Sequence, residues 1–131
     1  MNVLRNIQIE IEKINNDLPK INYGGCGTFS YHLNKVLKDK YDINSEIYYL
    51  KGDPAAIDYD ILFSHIVLKV DNYIIDNNGF YDYYDYSRRV DDIKPLSIDK
   101  LEEMLYIPGL WNSEFYNNEN INELINRIYK I

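Results

Sequence analysis

The chain has 131 residues, 46% hydrophobic and 27% charged, with a net charge of -7. That is the size of one ordinary domain, 1–131, able to bury a core without disulfide staples and too evenly apolar for a disordered chain. The acidic balance argues against nucleic acid and anionic membrane surfaces as partners, since both need clustered Lys and Arg, and no apolar run approaches the roughly 20 residues that span a bilayer.

Apolar Val3, Leu4, Ile7, Ile11 and Ile14 recur at steps of three and four, which predicts a helix ended by Asn15-Asn16-Asp17 and Pro19. No positive segment followed by an apolar one opens the chain, so the expected location is cytoplasmic, in the producing cell or in a host cell if the gene is viral. Asn22-Tyr23-Gly24-Gly25-Cys26-Gly27 is an irregular segment that permits close approach. Phe29, Leu33, Val36 and Leu37 then mark a second helix, from near Cys26 or Gly27 to about Lys40. Glu46 to Lys51 reads as a strand stopped by Gly52-Asp53-Pro54, and residues 54–60 fit a loop or a helical turn equally.

Leu62 to Val70 and Tyr73 to Asp76 are two strand-like runs separated by Asp71-Asn72, the clearest hairpin signal in the chain. Asn77-Asn78-Gly79 closes the second run. The tyrosine-rich stretch Phe80 to Tyr86 predicts a further strand or a loop whose alternate rings cover the core, although its tyrosines also suit a binding surface. The adjacent basic pair Arg88-Arg89 is hemmed in by Asp82, Asp85, Asp91 and Asp92. Asp91-Asp92 and Glu102-Glu103 read as solvated faces. Ser97 is placed to cap a helix over Ile98 to Leu105, which Pro108-Gly109 breaks. Trp111 reads as a packing anchor. The last helix covers about Glu119 to Tyr129, with Ile121, Leu124, Ile125 and Ile128 inward. The pattern of N-terminal helices, a small antiparallel sheet and C-terminal helices predicts an α+β fold.

Cys26 is the only cysteine, which excludes an internal disulfide framework and a multi-cysteine zinc knuckle. A lone cysteine is commonly a small buried apolar side chain. Its setting points further. A helix N-terminus carries partial positive charge that favours a thiolate, flanking glycines leave room for another molecule, and backbone N–H groups at a helix start can hold an oxyanion. A phosphate-binding reading of these glycines is weaker, because the phosphate-loop spacing and its lysine are missing.

A nucleophilic thiolate wants an imidazole partner. His32 lies on the same helix as Cys26 but faces elsewhere, and reads as a surface or core-edge residue. His65 lies in the first strand of the hairpin. With Asp71 and Asn72 as turn residues, Val70 faces Tyr73, Val67 faces Asp76, and His65 faces Asn78. His65, Val67, Asp76 and Asn78 then share one face, and Ile66, Leu68, Val70, Tyr73 and Ile75 the other. His65 and Asp76 become diagonal neighbours that polar side chains can bridge. The alternative is the solvated face of a half-exposed hairpin. A Cys-His-Asp metal site is conceivable, but three mixed ligands without tight spacing make a poor one.

The order of Cys26 in Gly24-Gly25-Cys26-Gly27-Thr28-Phe29, His65 in Ser64-His65-Ile66-Val67-Leu68-Lys69-Val70 and Asp76 in Tyr73-Ile74-Ile75-Asp76 resembles the papain-like superfamily in its compact form. That group includes transglutaminase-like domains, arylamine N-acetyltransferases and small bacterial cysteine peptidases. The matching pieces lie within residues 22–79. The resemblance implies a papain-like fold, with Cys26 as nucleophile, His65 as base and Asp76 as orienting acid. It implies a peptide, protein or other acyl substrate and no cofactor. Many such enzymes carry a glutamine shortly before the cysteine as an oxyanion donor; here the only Gln is Gln8, in the first helix. Asn22 or the backbone N–H of Cys26 would stand in for it, with Gly24 and Gly25 shaping the approach. The implied activity is a small peptidase or amidase working through a thioester. The alternatives are an acyl transferase of transglutaminase or N-acetyltransferase type, and a protein-binding domain without chemistry.

Overall fold

The computed structural model describes residues 2–18, 21, 25–52, 64–77, 79–87, 90–107 and 117–131. In chain order the elements are α1 (Asn2–Asp17), α2 (Cys26–Tyr41), β1 (Glu46–Gly52), β2 (Ser64–Val70), β3 (Tyr73–Asp76), β4 (Gly79–Asp82), α3 (Tyr83–Ser87), β5 (Val90–Leu96), α4 (Ile98–Leu105) and α5 (Asn118–Tyr129). The strands form one antiparallel sheet in the order β4-β3-β2-β1-β5. The fold class is α+β. No described helix is long and apolar enough to cross a membrane.

Alternation along the strands divides the sheet into two apolar faces. Ile47, Ile66, Leu68, Val70 and Ile75 join the inner stripes of α1, α2, α4 and α5 in the main core, around Phe29, Leu33 and Leu37. The α1 stripe is Ile7, Ile11 and Ile14, the spacing seen in the sequence. In α5, Leu124 and Ile128 are buried, and Ile121 packs against the same core. Ser97 caps α4, its side chain accepting from the Lys100 N–H at 3.1 Å.

The other face is not solvated. Leu50, Val67 and Ile74 form a second buried cluster, roofed by Tyr48, Tyr81, Tyr83, Tyr86 and Ile93. The tyrosine-rich run thus covers the core with its alternate rings, while Tyr84 points to solvent. Only half of this run is a strand. It turns helical at Tyr83 because Asp82 Oδ1 accepts from the N–H groups of Tyr84 and Asp85, at 3.0 and 3.1 Å. Strand β5 has no counterpart in the sequence reading. Two aspartates and Pro95 disguise it, and it survives because it is an edge strand paired with β1 alone, where a proline is tolerated.

The hairpin takes the register expected from its turn, with Val70↔Tyr73, Lys69↔Ile74 and Leu68↔Ile75. Asp71 occupies the left-handed region at φ 54°, which Asp tolerates and a β-branched residue does not. Gly79, at φ 138°, lets the chain reverse again directly after Asp76. Residues 54–60, Pro108-Gly109, Trp111 and Arg88-Arg89 lie outside the described residues. Replacing Asp71→Val is expected to cost about 1–2 kcal/mol through the turn alone, read as a lower urea midpoint at unchanged slope. An unchanged midpoint would mean that the turn does not constrain the hairpin.

Candidate active site

Helix α2 starts at Cys26, and Gly25 is its N-cap, with φ -106° and ψ -2°. A glycine offers no side-chain acceptor, so the N–H groups of the first turn are not capped from that position. The Gly25 N–H is itself tied back to the Ile21 carbonyl at 2.6 Å, and the Phe29 N–H returns to the Gly25 carbonyl at 2.9 Å. The cysteine therefore stands on a backbone fixed on both sides, at the positive end of a 16-residue helix.

Four residues on, along the same face of the helix, the Ser30 hydroxyl donates to the Ile66 carbonyl at 3.1 Å in a fully buried contact. This bond fastens the second turn of α2 to the start of β2, beside His65. The sequence reading passed over Ser30. Its signal is the i+4 spacing from Cys26, a buried hydroxyl on the helix face that meets the sheet.

His65 Nε2 lies 3.2 Å from Asp76 Oδ2, with the imidazole a quarter exposed and the carboxylate almost wholly buried. The Cys26 thiol is the second group that acts on this ring. Burial by itself pulls the ring's pKa down. The hydrogen bonds to Asp76 and Cys26, with the charges of those two groups, outweigh it and push the value up to about 10. Both neighbours thus favour the protonated ring over the neutral one.

The structure brings Cys26, His65 and Asp76 together from α2, β2 and β3. Cys26 itself is 5% exposed. Asn22 and Gly24, the other residues considered for oxyanion or substrate binding, lie outside the described residues, whereas Gly25 is present as the N-cap. Asn77, next to Asp76, is buried, and its Nδ2 donates to Asn15 Oδ1 of α1 at 2.9 Å.

His32 takes no part. Its Nδ1 meets the Tyr129 hydroxyl at 2.8 Å and its ring sits edge-on to Tyr31 and Tyr129. Burial and then the Lys35 charge lower its pKa. Glu102, half of an acidic pair read as a solvated face, is exposed yet accepts from the Tyr31 hydroxyl at 2.7 Å. Among the described residues no group of three or more His, Cys, Asp or Glu side chains could hold a metal ion.

No family model matches the chain, and no curated protein or solved structure matches it either.

The His65 geometry carries a pH signature. The unperturbed ring titrates near 6.5, and the folded ring keeps its proton up to about 10. The folded state binds that proton more tightly, so the contribution to stability is complete below the lower value and is lost as pH rises through the upper one. Urea unfolding at several pH values across this window should show wild type losing stability as pH rises, and Asp76→Asn losing less of it. Parallel profiles for the two proteins would mean that Asp76 does not hold the imidazolium.

Proposed function

We propose that this chain is a small cysteine hydrolase, a peptidase or amidase, in which Cys26, His65 and Asp76 act as nucleophile, base and orienting acid. One observation carries the reading: a single imidazole lies 3.2 Å from a buried carboxylate and is also acted on by the chain's only thiol. The order Cys-His-Asp and the placement of the cysteine at a helix start support it through their likeness to papain-like enzymes.

The reaction follows from the geometry. With the Cys26 proton already held on His65, the sulfur attacks the acyl carbon of a peptide or other amide. The carbonyl π pair moves onto oxygen, which backbone N–H groups at the start of α2 can receive. On collapse the C–N bond breaks, and His65 returns the proton to the departing nitrogen, leaving a thioester on Cys26. His65 then takes a proton from water, whose oxygen attacks the thioester. The acid leaves and the thiol is restored. Asp76 keeps the imidazole in the orientation that serves the sulfur. Were an amine to replace the water, the same steps would make an acyl transferase.

The burial of Cys26, only 5% exposed, favours a second reading, a binding domain without chemistry. An activated ester separates the two. With p-nitrophenyl acetate, the hydrolase reading expects an acetyl adduct on Cys26 by intact mass and enzyme-dependent release of nitrophenol. Cys26→Ala should abolish both at unchanged circular dichroism, and His65→Ala should slow acylation by about a hundredfold or more. Equal release from wild type and Cys26→Ala would overturn the reading.

A further inference from the structure

Asp76 is the last residue of β3, and the pairing of β3 with β2 runs only as far as Leu68↔Ile75. The ladder that sets the hairpin register therefore stops one residue short of the carboxylate that reaches His65. On its other side Asp76 pairs with Gly79, across a turn that begins at Asn77. A further restraint comes from outside the sheet. Strand alternation sends Asp76 to the tyrosine-covered face and turns Asn77 towards the helices. There Asn77 is buried, 3% exposed, and its Nδ2 donates to Asn15 Oδ1 at 2.9 Å, joining residues 62 apart in sequence. A buried amide N–H is costly unless hydrogen-bonded, so the Asn77 Nδ2 donor ties the α1 C-terminal turn to the end of β3. The His65–Asp76 contact, at 3.2 Å, is at the long end of the hydrogen-bond range. A small displacement of Asp76 would break it.

We propose that Asn15 and Asn77 are positioning residues of this site: their amide–amide hydrogen bond fixes the end of β3 so that Asp76 stays within reach of His65. The assignment of the three reacting residues is the reading given above, on which this inference rests. The two amides touch no reacting atom and act only through Asp76. They pair with the Ser30–Ile66 bond, which fixes β2 against α2. Each strand of the hairpin is then tied to a different helix, one residue away from the group it carries into the site.

The test is the pH titration of the two histidine rings by NMR in wild type, Asn15→Ala, Asn77→Ala, the double variant and Asp76→Asn. Cys26 from α2 and Asp76 from β3 are the groups that act on the His65 ring. The expected result is a His65 titration lowered by about one unit, a tenfold change in proton affinity, in each single variant. Asp76→Asn should lower it further, and the double variant should be no worse than either single one. Asn15→Asp, which keeps an oxygen acceptor for Asn77, should restore it. His32, held by Tyr129 elsewhere on α2, serves as the internal reference and should not move. If Asn77→Ala does not fold, Asn15→Ala, at a half-buried position, carries the same comparison. A His65 titration unchanged in the folded variants, with only thermal stability reduced, would overturn the proposal. Ring titration needs no turnover. Inactivity of wild type towards the ester would therefore count against the hydrolase reading alone, and the titration would still decide the positioning role.

Discussion

The pairing of Val70 with Tyr73 across a two-residue turn decides how His65 and Asp76 stand to each other. Side chains on a strand alternate, so a slip of one residue would carry Asp76 to the helix face and leave His65 without its carboxylate. The register is protected by burial on both faces. Ile66, Leu68, Val70 and Ile75 are committed to the main core, while Val67 and Ile74 are committed to the tyrosine-roofed cluster. Slipping would expose one set and bury polar groups in place of the other. The site thus inherits its precision from apolar packing on either side of the sheet.

That second apolar cluster also sets the electrostatic conditions. A hairpin with one wet face would bathe His65 and Asp76 in water, where their mutual attraction is small. Here the carboxylate is nearly buried and the ring only a quarter exposed. Burial disfavours the imidazolium, and the opposing influence of Asp76 and Cys26 wins. Polar ties through Ser30 to β2 and from Asn77 to α1 keep the three elements that carry these groups from drifting apart. Burial in the main core limits access to the sulfur, and this is the tension in the molecule: a well-held thiol is also a covered one.

Much of this arrangement could be read from residue order. Helices α1, α2, α4 and α5 announce themselves by apolar spacing, and the Ser97 cap by its position before Ile98. The hairpin register followed from Asp71-Asn72 and placed His65 near Asp76 by alternation alone. What escaped did so for identifiable reasons. Strand β5 carries aspartates and Pro95, which only an edge position accommodates. Helix α3 hides in a strand-like tyrosine run and is set by the Asp82 cap. The roof over the second face depends on Tyr48 of β1 and Tyr81 of β4 packing on one cluster, a long-range fact that no local pattern encodes. Asn77 looked like a turn residue, and nothing near it in the sequence points to Asn15. The contact between Cys26 and His65 joins a helix start to a strand and rests on tertiary packing.

The central proposal is that His65 activates the Cys26 thiol. Its most direct test is the alkylation rate of Cys26 against pH, followed by intact mass, in wild type and His65→Ala; the single thiol makes the product unambiguous. The account predicts, below the free-thiol range, a wild-type rate that falls sharply in His65→Ala. A slow rate that rises only around pH 8.5, the ordinary free-thiol value, and that is the same in both proteins would contradict it.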